Sequence, residues 1–457
     1  MGQPVIGHGS AIVDFQAFER ITGTARWTDT PPVSILGSVV VGAGQAGLAA
    51  SHHLGRLGIE HVVLERTRIG ATWLSQRWDA FALNTPGWRS HIQPADQERQ
   101  TEEDDAFLSA AGFAERLEAF AGRHGIAVTT GVEVTRVAPV GAPAEGFIVS
   151  VRRADGEDEL RTPTVVVASG ILNVPLVPRI AAALPTGLPQ LTAAGYRNAA
   201  DLPAGAVLVV GSAQSGVQIA EDLVAAGRTV YLCTSSVGRM PRRYRGRDIF
   251  AWLGDAGFFD QLPGQLADPR MVSWPQPHVS GVGPLGHTVS LQSLAAQGVT
   301  LLGRATAVDG DRVLLEDTVG ANIAFGDRIS AEMKALVDRH IDAAGVAAPS
   351  AGMDPADAPH PDPAAVRSPG HLDLEAAGIG SVLWTTGFGG AFGYLPAAVV
   401  DERGVPIHDR GIAPVPGIYM LGFPWLTKRK SGIIPGVYED AATIAEHVAR
   451  RSTVDAR

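Results

Sequence analysis

The sequence predicts an α/β fold built from two similar units, each a parallel sheet with helices packed against it. Two stretches carry this prediction, one starting at Ile35 and one at Ala206, because each runs from an apolar strand through a glycine-rich turn into a helix. The chain has 457 residues, which is enough for about three folding units or two large ones. Hydrophobic residues make up 45% of it, so bulk disorder is excluded.

The glycine-rich turn of the first unit directly follows the apolar strand at 39–41. A second strand then ends at Glu65, 18 residues beyond the last glycine of the turn. Such glycines permit a tight turn and let a pyrophosphate approach the helix N-terminus, and the acid can accept hydrogen bonds from ribose hydroxyls. The pattern predicts a dinucleotide site. This interpretation is favoured over the alternative of a glycine-rich turn in an unrelated α/β sheet. The turn residues assigned to this site are Gly42, Gly44, Gln45, Ala46 and Gly47.

The second unit repeats this pattern with two departures. Ala213 replaces the middle glycine, and Thr234 stands where the acid would be, 18 residues beyond Gly216. Loss of the acid with arginines close by is the pattern for a ribose 2′-phosphate, so the sequence predicts NADPH rather than NADH. The alternative interpretation of an arginine run is a solvated surface. The residues assigned to this second site are Gly211, Ser212, Gln214, Ser215, Gly216, Thr234, Arg239, Arg242 and Arg243.

Two dinucleotide turns of unlike specificity indicate two cofactors, a tightly held FAD and an exchanging NADPH. The net charge of −10 argues against a partner that is nucleic acid or an anionic membrane. Cys233 is the only cysteine, which excludes an intrachain disulfide and a CxxC pair and fits a reducing compartment. No histidine pair has metal-ligand spacing, and neither a membrane span nor a signal peptide is indicated. We therefore expect a cytoplasmic protein without a metal.

Several short stretches between residues 37 and 450 extend this pattern. They are G-A-T-W at 70–73, N-T-P at 84–86, V-V-V-A-S-G at 165–170, W-T-T-G-F at 384–388, G-I-Y-M-L-G-F at 417–423 and K-R-K-S-G at 428–432. Together they resemble the flavin-containing monooxygenases, which are class B flavoprotein monooxygenases, and in particular the bacterial branch related to plant indole-pyruvate monooxygenases.

The resemblance implies a reaction and further site residues. NADPH would reduce the flavin, O2 would add to it as a C4a-(hydro)peroxyflavin, and one oxygen atom would pass to a small-molecule substrate. Asn84 would be the catalytic residue, because the family's asparagine at this position faces the flavin and its oxygen adduct. The cofactor-binding residues added by the resemblance are Thr72, Trp73, Ala168, Gly170, Thr386, Gly387 and Gly422.

The resemblance also implies an architecture of two interleaved Rossmann-like domains. The FAD domain would be split between residues 35–172 and 370–457, and the NADPH domain would occupy residues 173–369. Residues 1–34 are left as an N-terminal appendage without an assigned role.

One departure from the family leaves alternatives open. The family carries a histidine in the linker before the second glycine-rich turn, and the corresponding residue here is Thr192. Together with Ala213, this residue leaves two alternatives, an NADPH oxidase or reductase that oxygenates no organic substrate and a non-catalytic flavoprotein. The cations at 428–430 could balance a reduced flavin, guide an acidic substrate, or simply lie in a surface loop. The sequence does not identify the substrate, the type of oxygenation or the oligomeric state.

Overall fold

The computed structural model describes residues 36–96, 105–141, 145–274, 276–281, 283 and 285–454. The N-terminal appendage expected at residues 1–34 lies outside these ranges. Within them, no helix has both the length and the apolar character needed to cross a membrane.

The described residues form 22 strands and eight α-helices. The strands are β1 (Ser38–Val41), β2 (His61–Glu65), β3 (Ala82–Pro86), β4 (Phe107–Ser109), β5 (Val128–Thr130), β6 (Glu133–Pro139), β7 (Phe147–Arg153), β8 (Gly156–Thr162), β9 (Val165–Val167), β10 (Val174–Pro175), β11 (Gln190–Thr192), β12 (Ala206–Val210), β13 (Val230–Cys233), β14 (Arg243–Tyr244), β15 (Arg247–Asp248), β16 (Thr300–Leu302), β17 (Ala305–Asp309), β18 (Arg312–Leu315), β19 (His371–Asp373), β20 (Ile379–Trp384), β21 (Phe388–Gly389) and β22 (Ile418–Met420). The α-helices are α1 (Gln45–Arg56), α2 (Ala71–Ser75), α3 (Ala110–Arg123), α4 (Gln214–Ala225), α5 (Ile249–Asp255), α6 (Leu291–Ala296), α7 (Val319–Ala344) and α8 (Ile434–Val454).

The first domain is built on a parallel sheet with the strand order β22–β9–β1–β2–β5. Alternate residues of β1 point to opposite faces, so Val40 packs with helices α1, α3 and α8, whereas Val39 and Val41 pack with the antiparallel strand β7. Because both faces are covered, the strand is apolar at nearly every position rather than at every second one.

The second domain repeats this arrangement with the strand order β11–β20–β12–β13–β16, again all parallel. Val207 and Val209 of β12 pack with helix α4 on one face. Leu208 and Val210 pack on the other face with β18 and β19, which belong to an antiparallel sheet with β17. The two domains therefore share one topology, and the predicted α/β fold is confirmed.

The chain passes between the domains twice, and the second passage lies later than the sequence suggested. Strands β10 and β21 pair antiparallel at the passage, where Val174 lies opposite Gly389. Strand β20 lies between β11 and β12 in the second sheet, so the boundary expected at residue 370 falls inside the second domain. The return to the first domain follows β21. The sequence could not show this, because a strand's sheet partners are set by contacts distant along the chain.

Candidate active site

The first glycine turn, residues 42–47, leaves a gap in the surface at its centre. A Cβ atom at Gly47 would lie 1.8 Å from the carbonyl oxygen of Gly42, so this glycine is required for the helix to pack on the turn. Around Gly44, by contrast, a Cβ would meet nothing within 4 Å. The space beside Gly44 is therefore open to an extended group that lies along the N-terminus of α1.

Glu65 closes one side of the first glycine turn. Its Oε2 accepts a hydrogen bond from the backbone N–H of Ala43 at 2.9 Å, and its Oε1 accepts one from the N–H of Thr67 at 2.9 Å. Oε1 also accepts from the hydroxyl of Thr67 at 3.3 Å, whereas Oε2 keeps a lone pair. The group is thus held at the end of β2 in a position to accept from a ribose hydroxyl, as the acid at this position of the pattern does.

The second glycine turn, residues 211–216, has nearly the same backbone. Ala213 adopts φ −75° and ψ −174°, and Gly44 of the first turn adopts φ −80° and ψ −171°. The alanine is unstrained, because its φ is negative. At Gly216 a Cβ would lie 1.9 Å from the oxygen of Gly211, which repeats the close packing of the first turn. The departure at Ala213 therefore changes the space above the turn and leaves its path unchanged.

Thr234, at the acid position of the second unit, is buried, and its hydroxyl already has hydrogen-bond partners. Its hydroxyl donates to the carbonyl oxygen of Leu302 at 2.8 Å and accepts from the side-chain amide of Asn322 at 3.0 Å. The accessible hydroxyls at this strand end belong to the next two residues, since Ser235 is half-buried and Ser236 is exposed.

The three arginines assigned to the 2′-phosphate lie in different surroundings. Arg239 is buried and pairs with Asp327 at 2.7 Å and Asp357 at 2.8 Å. Arg242 is 1% exposed and pairs with the buried Asp248. Arg243 is exposed, and its hydrogen bond goes to the carbonyl oxygen of Gly286 at 3.3 Å. Of the three, only Arg243 keeps its charge accessible to an anionic ligand.

Asn84, on β3, is held by two residues of the second domain. The side-chain amide of Gln218, on helix α4, donates to its Oδ1 at 3.2 Å, and Nη1 of Arg242 donates to its backbone oxygen at 2.9 Å. The sequence patterns did not single out Gln218. The available signal is its position four residues after Gln214, on the same face of the helix that follows the second glycine turn.

Arg242 joins this contact to a buried ion pair. Its Nη2 donates to Asp248 at 2.6 Å, and its guanidinium lies 4.9 Å from the centre of the Phe107 ring. Asp248 is buried and also accepts from the N–H of Phe250, so it caps helix α5. A residue assigned from the sequence to a cofactor phosphate thus connects the two domains.

Aromatic rings pack around Arg77, near the point where the chain crosses between the domains at β21. Trp73 packs edge-on against Phe113 at 4.9 Å, and its indole N–H donates to Gln45 of the first glycine turn at 3.5 Å. The guanidinium of Arg77 lies 5.1 Å from the Trp73 ring centre and 5.9 Å from that of Phe388. Burial lowers the pKa of Arg77 to about 10, so the group stays charged at neutral pH.

The cationic loop at 428–430 is largely neutralised by its neighbours. Lys428 and Lys430 each lie within 3.3 Å of both Asp260 and Glu439. Arg429 lies over the ring of Trp425 at 4.6 Å, and burial lowers its pKa to about 10. The charge of this loop is therefore engaged within the protein.

The remaining assigned residues gather at the carboxyl ends of the two sheets. Gly42, Ala168 and Gly170 follow β1 and β9, and Gly211, Thr386 and Gly387 follow β12 and β20. A Cβ at Gly422, after β22, would lie 3.0 Å from the Cβ of Ala46. The carboxyl ends of parallel strands form the usual ligand crevice of such sheets. The other members here are Thr72 on α2 and Ser212, Gln214 and Ser215 at the start of α4.

The residues of the first turn fit FAD well, and those of the second turn fit NADPH in part. An open centre at Gly44 with Glu65 beside it suits the pyrophosphate and ribose of FAD. The second turn offers the same helix N-terminus to NADPH, with Ala213 above it and Arg243 as the accessible cation among the three. In the part of the chain that the structure describes, no group of three or more His, Cys, Asp or Glu side chains could hold a metal ion.

Comparisons with known proteins agree with this arrangement. A protein-family model described as pyridine nucleotide-disulphide oxidoreductase matches residues 39–246. An uncharacterized oxidoreductase CzcO of Bacillus subtilis (strain 168) is 25% identical over 413 residues, which cover 90% of this chain and 98% of that protein. Indole-3-pyruvate monooxygenase YUCCA1 of Oryza sativa subsp. japonica is 29% identical over 236 residues, covering 51% of this chain and 55% of that protein.

Two solved structures share the fold at low sequence identity. A flavin-containing monooxygenase from Stenotrophomonas maltophilia superposes with a TM-score of 0.59 at 18% identity, covering 90% of this chain and 98% of that one. The ornithine N-hydroxylase KtzI from Kutzneria sp. 744, solved with reduced FAD, NADP+ and L-ornithine, has a TM-score of 0.58 at 15% identity, covering 92% and 100%.

Proposed function

We propose that this chain is a class B flavin monooxygenase, which uses FAD and NADPH to place one oxygen atom of O2 in a small organic molecule. The observation that carries this proposal is the position of Asn84, which lies on β3 of the first domain and is held by Gln218 and Arg242 of the second domain, next to the second glycine turn. When bound, FAD supplies the flavin that takes a hydride from NADPH and then reacts with O2.

The first domain holds FAD through its glycine turn and Glu65. Gly44 leaves room for the pyrophosphate at the N-terminus of α1, where backbone N–H groups and the helix dipole favour negative charge. Glu65 would accept a hydrogen bond from the ribose of FAD. Trp73, hydrogen-bonded to Gln45 of the same turn, supports the flavin side of the crevice.

The second domain holds NADPH through residues 211–216 and the exposed Arg243. The methyl group of Ala213 stands where the first turn has open space, so it keeps the dinucleotide slightly farther from the turn. Weaker contact suits a cofactor that must arrive and leave in each cycle. The preference for NADPH over NADH rests on Arg243, because Arg239 and Arg242 are buried and already paired with aspartates.

Asn84 and the aromatic residues of the crevice act on the oxygen chemistry. The rings of Trp73, Phe81 and Phe388 form an apolar wall around Arg77, which limits the access of water. Asn84 offers a hydrogen bond to an oxygen atom at the reacting centre, which stabilises charge that develops there.

A cofactor and product assay tests this proposal. The purified protein should contain one non-covalent FAD per chain and consume NADPH when presented with sulfides, amines, ketones or 2-oxo acids. At least one substrate class should yield an oxygenated product in excess of hydrogen peroxide. A protein that binds no flavin, or that consumes no NADPH with any of them, would contradict the proposal.

A second candidate function is an NADPH oxidase that releases hydrogen peroxide. Thr192 favours it, because this residue ends β11 beside Trp384, at the edge where the family carries its linker histidine. Under this alternative every substrate gives peroxide only. Thr192→His should then raise product per NADPH if the missing imidazole is the cause, and Thr192→Val serves as the matched control.

A cytoplasmic location and a small-molecule substrate are also part of the proposal.

A further inference from the structure

We infer that Gln218 is a positioning residue that fixes which end of the Asn84 side-chain amide is free to act. Gln218 holds Oδ1 of Asn84, so the Nδ2 group is the end that remains available as a hydrogen-bond donor. The inference rests on the proposed function, because it specifies how Asn84 takes part in that reaction.

The orientation of Gln218 follows from a backbone group. Its side chain is 3% exposed, and its Nε2 lies 3.0 Å from the carbonyl oxygen of Ser280 and 3.2 Å from Oδ1 of Asn84. A carbonyl oxygen can only accept, so the atom of Gln218 that faces it must be the amide nitrogen. The same nitrogen faces Asn84, and the atom that Asn84 presents to it must therefore be its oxygen.

Gln214, one helical turn earlier, confirms which group Ser280 presents. Its Oε1 accepts from the N–H of Val279 at 2.8 Å, and its Nε2 donates to the oxygen of Ser280 at 2.7 Å. A backbone N–H can only donate, so Gln214 cannot be turned around either. The carbonyl of Ser280 is thus held between two amide nitrogens of α4, and this arrangement determines the orientation of Asn84.

The main chain at Asn84 is fixed separately. Nη1 of Arg242 donates to the backbone oxygen of Asn84 at 2.9 Å, while Asp248 holds the same guanidinium. Arg242 sets where residue 84 lies, and Gln218 sets how its side chain is turned. In the part of the chain that the structure describes, Nδ2 of Asn84 donates to no group, so its two hydrogens are left for an acceptor in the crevice.

Two substitutions at residue 218 should act differently on this amide. In Gln218→Glu the carboxylate can only accept, so it attracts Nδ2 and turns Asn84 around. In Gln218→Met a side chain of similar length leaves Asn84 without a partner. The methionine also avoids placing a buried carboxylate against the oxygen of Ser280, so it provides a folded variant if the glutamate variant fails to fold.

The contact between Gln218 and the Asn84 side chain can be tested by NMR. The chain contains four asparagines, residues 84, 173, 198 and 322, so holoenzyme labelled with ¹⁵N-asparagine gives four side-chain NH2 pairs. Asn84→Asp assigns one pair by removing it. We expect Gln218→Met to shift that pair and leave the other three in place. Gln190→Glu is the control, because Gln190 is exposed and its Oε1 accepts from Trp384, and it should leave the Asn84 pair unchanged. An Asn84 pair at its wild-type position in folded Gln218→Met would overturn the inference.

A second readout links the orientation to the reaction. Loss of one neutral hydrogen bond should lower kcat/KM for oxygenation about tenfold in Gln218→Met and raise peroxide per NADPH. In an Asn84→Ala background the same change should add nothing, because Gln218 acts through Asn84. A full additional tenfold loss there would contradict the inference. If the wild type makes only peroxide, the proposed function fails, whereas the NMR result still tests whether Gln218 holds the Asn84 side chain.

Discussion

The two glycine turns follow the same backbone path and differ where a cofactor would touch them. In the first, the centre is open at Gly44 and Glu65 closes the side. In the second, a methyl group at Ala213 fills the centre, and the position of the acid holds Thr234, which is buried. The fold therefore requires only the first and last glycines of such a turn, and the middle residue is left to set how closely a dinucleotide approaches.

The largest expected effect tests this division between the glycines. In Gly47→Ala the Cβ would lie 1.8 Å from the oxygen of Gly42, so the free energy of unfolding should fall by about 3 kcal/mol or more and FAD should be lost. Gly44→Ala should fold normally and bind FAD about three- to tenfold more weakly. Thermal unfolding and equilibrium dialysis with FAD measure both effects.

The matched control for these variants is Gly122→Ala. Gly122 is exposed near the end of α3, and a Cβ there meets nothing within 4 Å. This change should leave FAD binding intact and stabilise the protein by up to about 1 kcal/mol. If Gly44→Ala unfolds the protein as Gly47→Ala does, the middle glycine is also required for the fold. The proposal that Gly44 only leaves space for the dinucleotide would then be wrong.

Of the arginines of the second domain, Arg242 should contribute to stability and Arg243 to the preference for NADPH. Arg242→Ala leaves the buried Asp248 unpaired, so we expect the free energy of unfolding to fall by about 3–5 kcal/mol. Arg243→Ala should change it by less than about 0.5 kcal/mol and reduce the kcat/KM preference for NADPH over NADH about tenfold. Denaturant titration and steady-state kinetics with both nucleotides measure these effects. An unchanged preference in Arg243→Ala would mean that the phosphate is held by another residue.

His52 and His53 of the first domain and His287 of the second should respond to pH in opposite directions. Burial lowers the pKa of His52 and His53 from 6.5 to about 4, with help from Arg56. The folded state thus binds fewer protons than the unfolded state, and their stabilisation is complete above about pH 6.5 and is lost as pH falls toward 4. His287 contacts Glu221 at 2.7 Å, which raises its pKa. Its contribution is present below pH 6.5 and disappears as pH rises through the raised pKa.

Melting temperatures between pH 4 and 9 test this opposition. His52→Phe should flatten the acid side of the profile, and His287→Gln should flatten the alkaline side while leaving the acid side as in the wild type. A wild-type melting temperature that stays constant from pH 6.5 to pH 4 would contradict the expected role of the first domain's histidines.

The smallest effect concerns the methyl group of the second turn. Ala213→Gly restores open space without a change in backbone direction, because φ is −75°. We expect the KM for NADPH to fall about threefold and FAD content to stay the same. A higher KM, or any loss of FAD, would show that the methyl group does not limit the approach of NADPH.

Local patterns predicted the parts of the molecule that lie close together in sequence. Each glycine turn is one strand, one turn and one helix, so its residues could be found from spacing alone. The partners of the arginines could not be found in this way, because Arg239 meets Asp327 and Asp357 across separations of 88 and 118 residues. The contact between Gln218 and Asn84 spans 134 residues and joins two domains, so no local period records it.

Incorporation of labelled oxygen tests the central claim most directly. The holoenzyme is supplied with NADPH, ¹⁸O2 and the panel of sulfides, amines, ketones and 2-oxo acids, and products are analysed by mass spectrometry while peroxide is measured in parallel. We expect at least one substrate to yield a product that carries a single ¹⁸O atom, with a lower yield in Asn84→Ala. Recovery of all consumed O2 as hydrogen peroxide, with no labelled product from any substrate class, would contradict it.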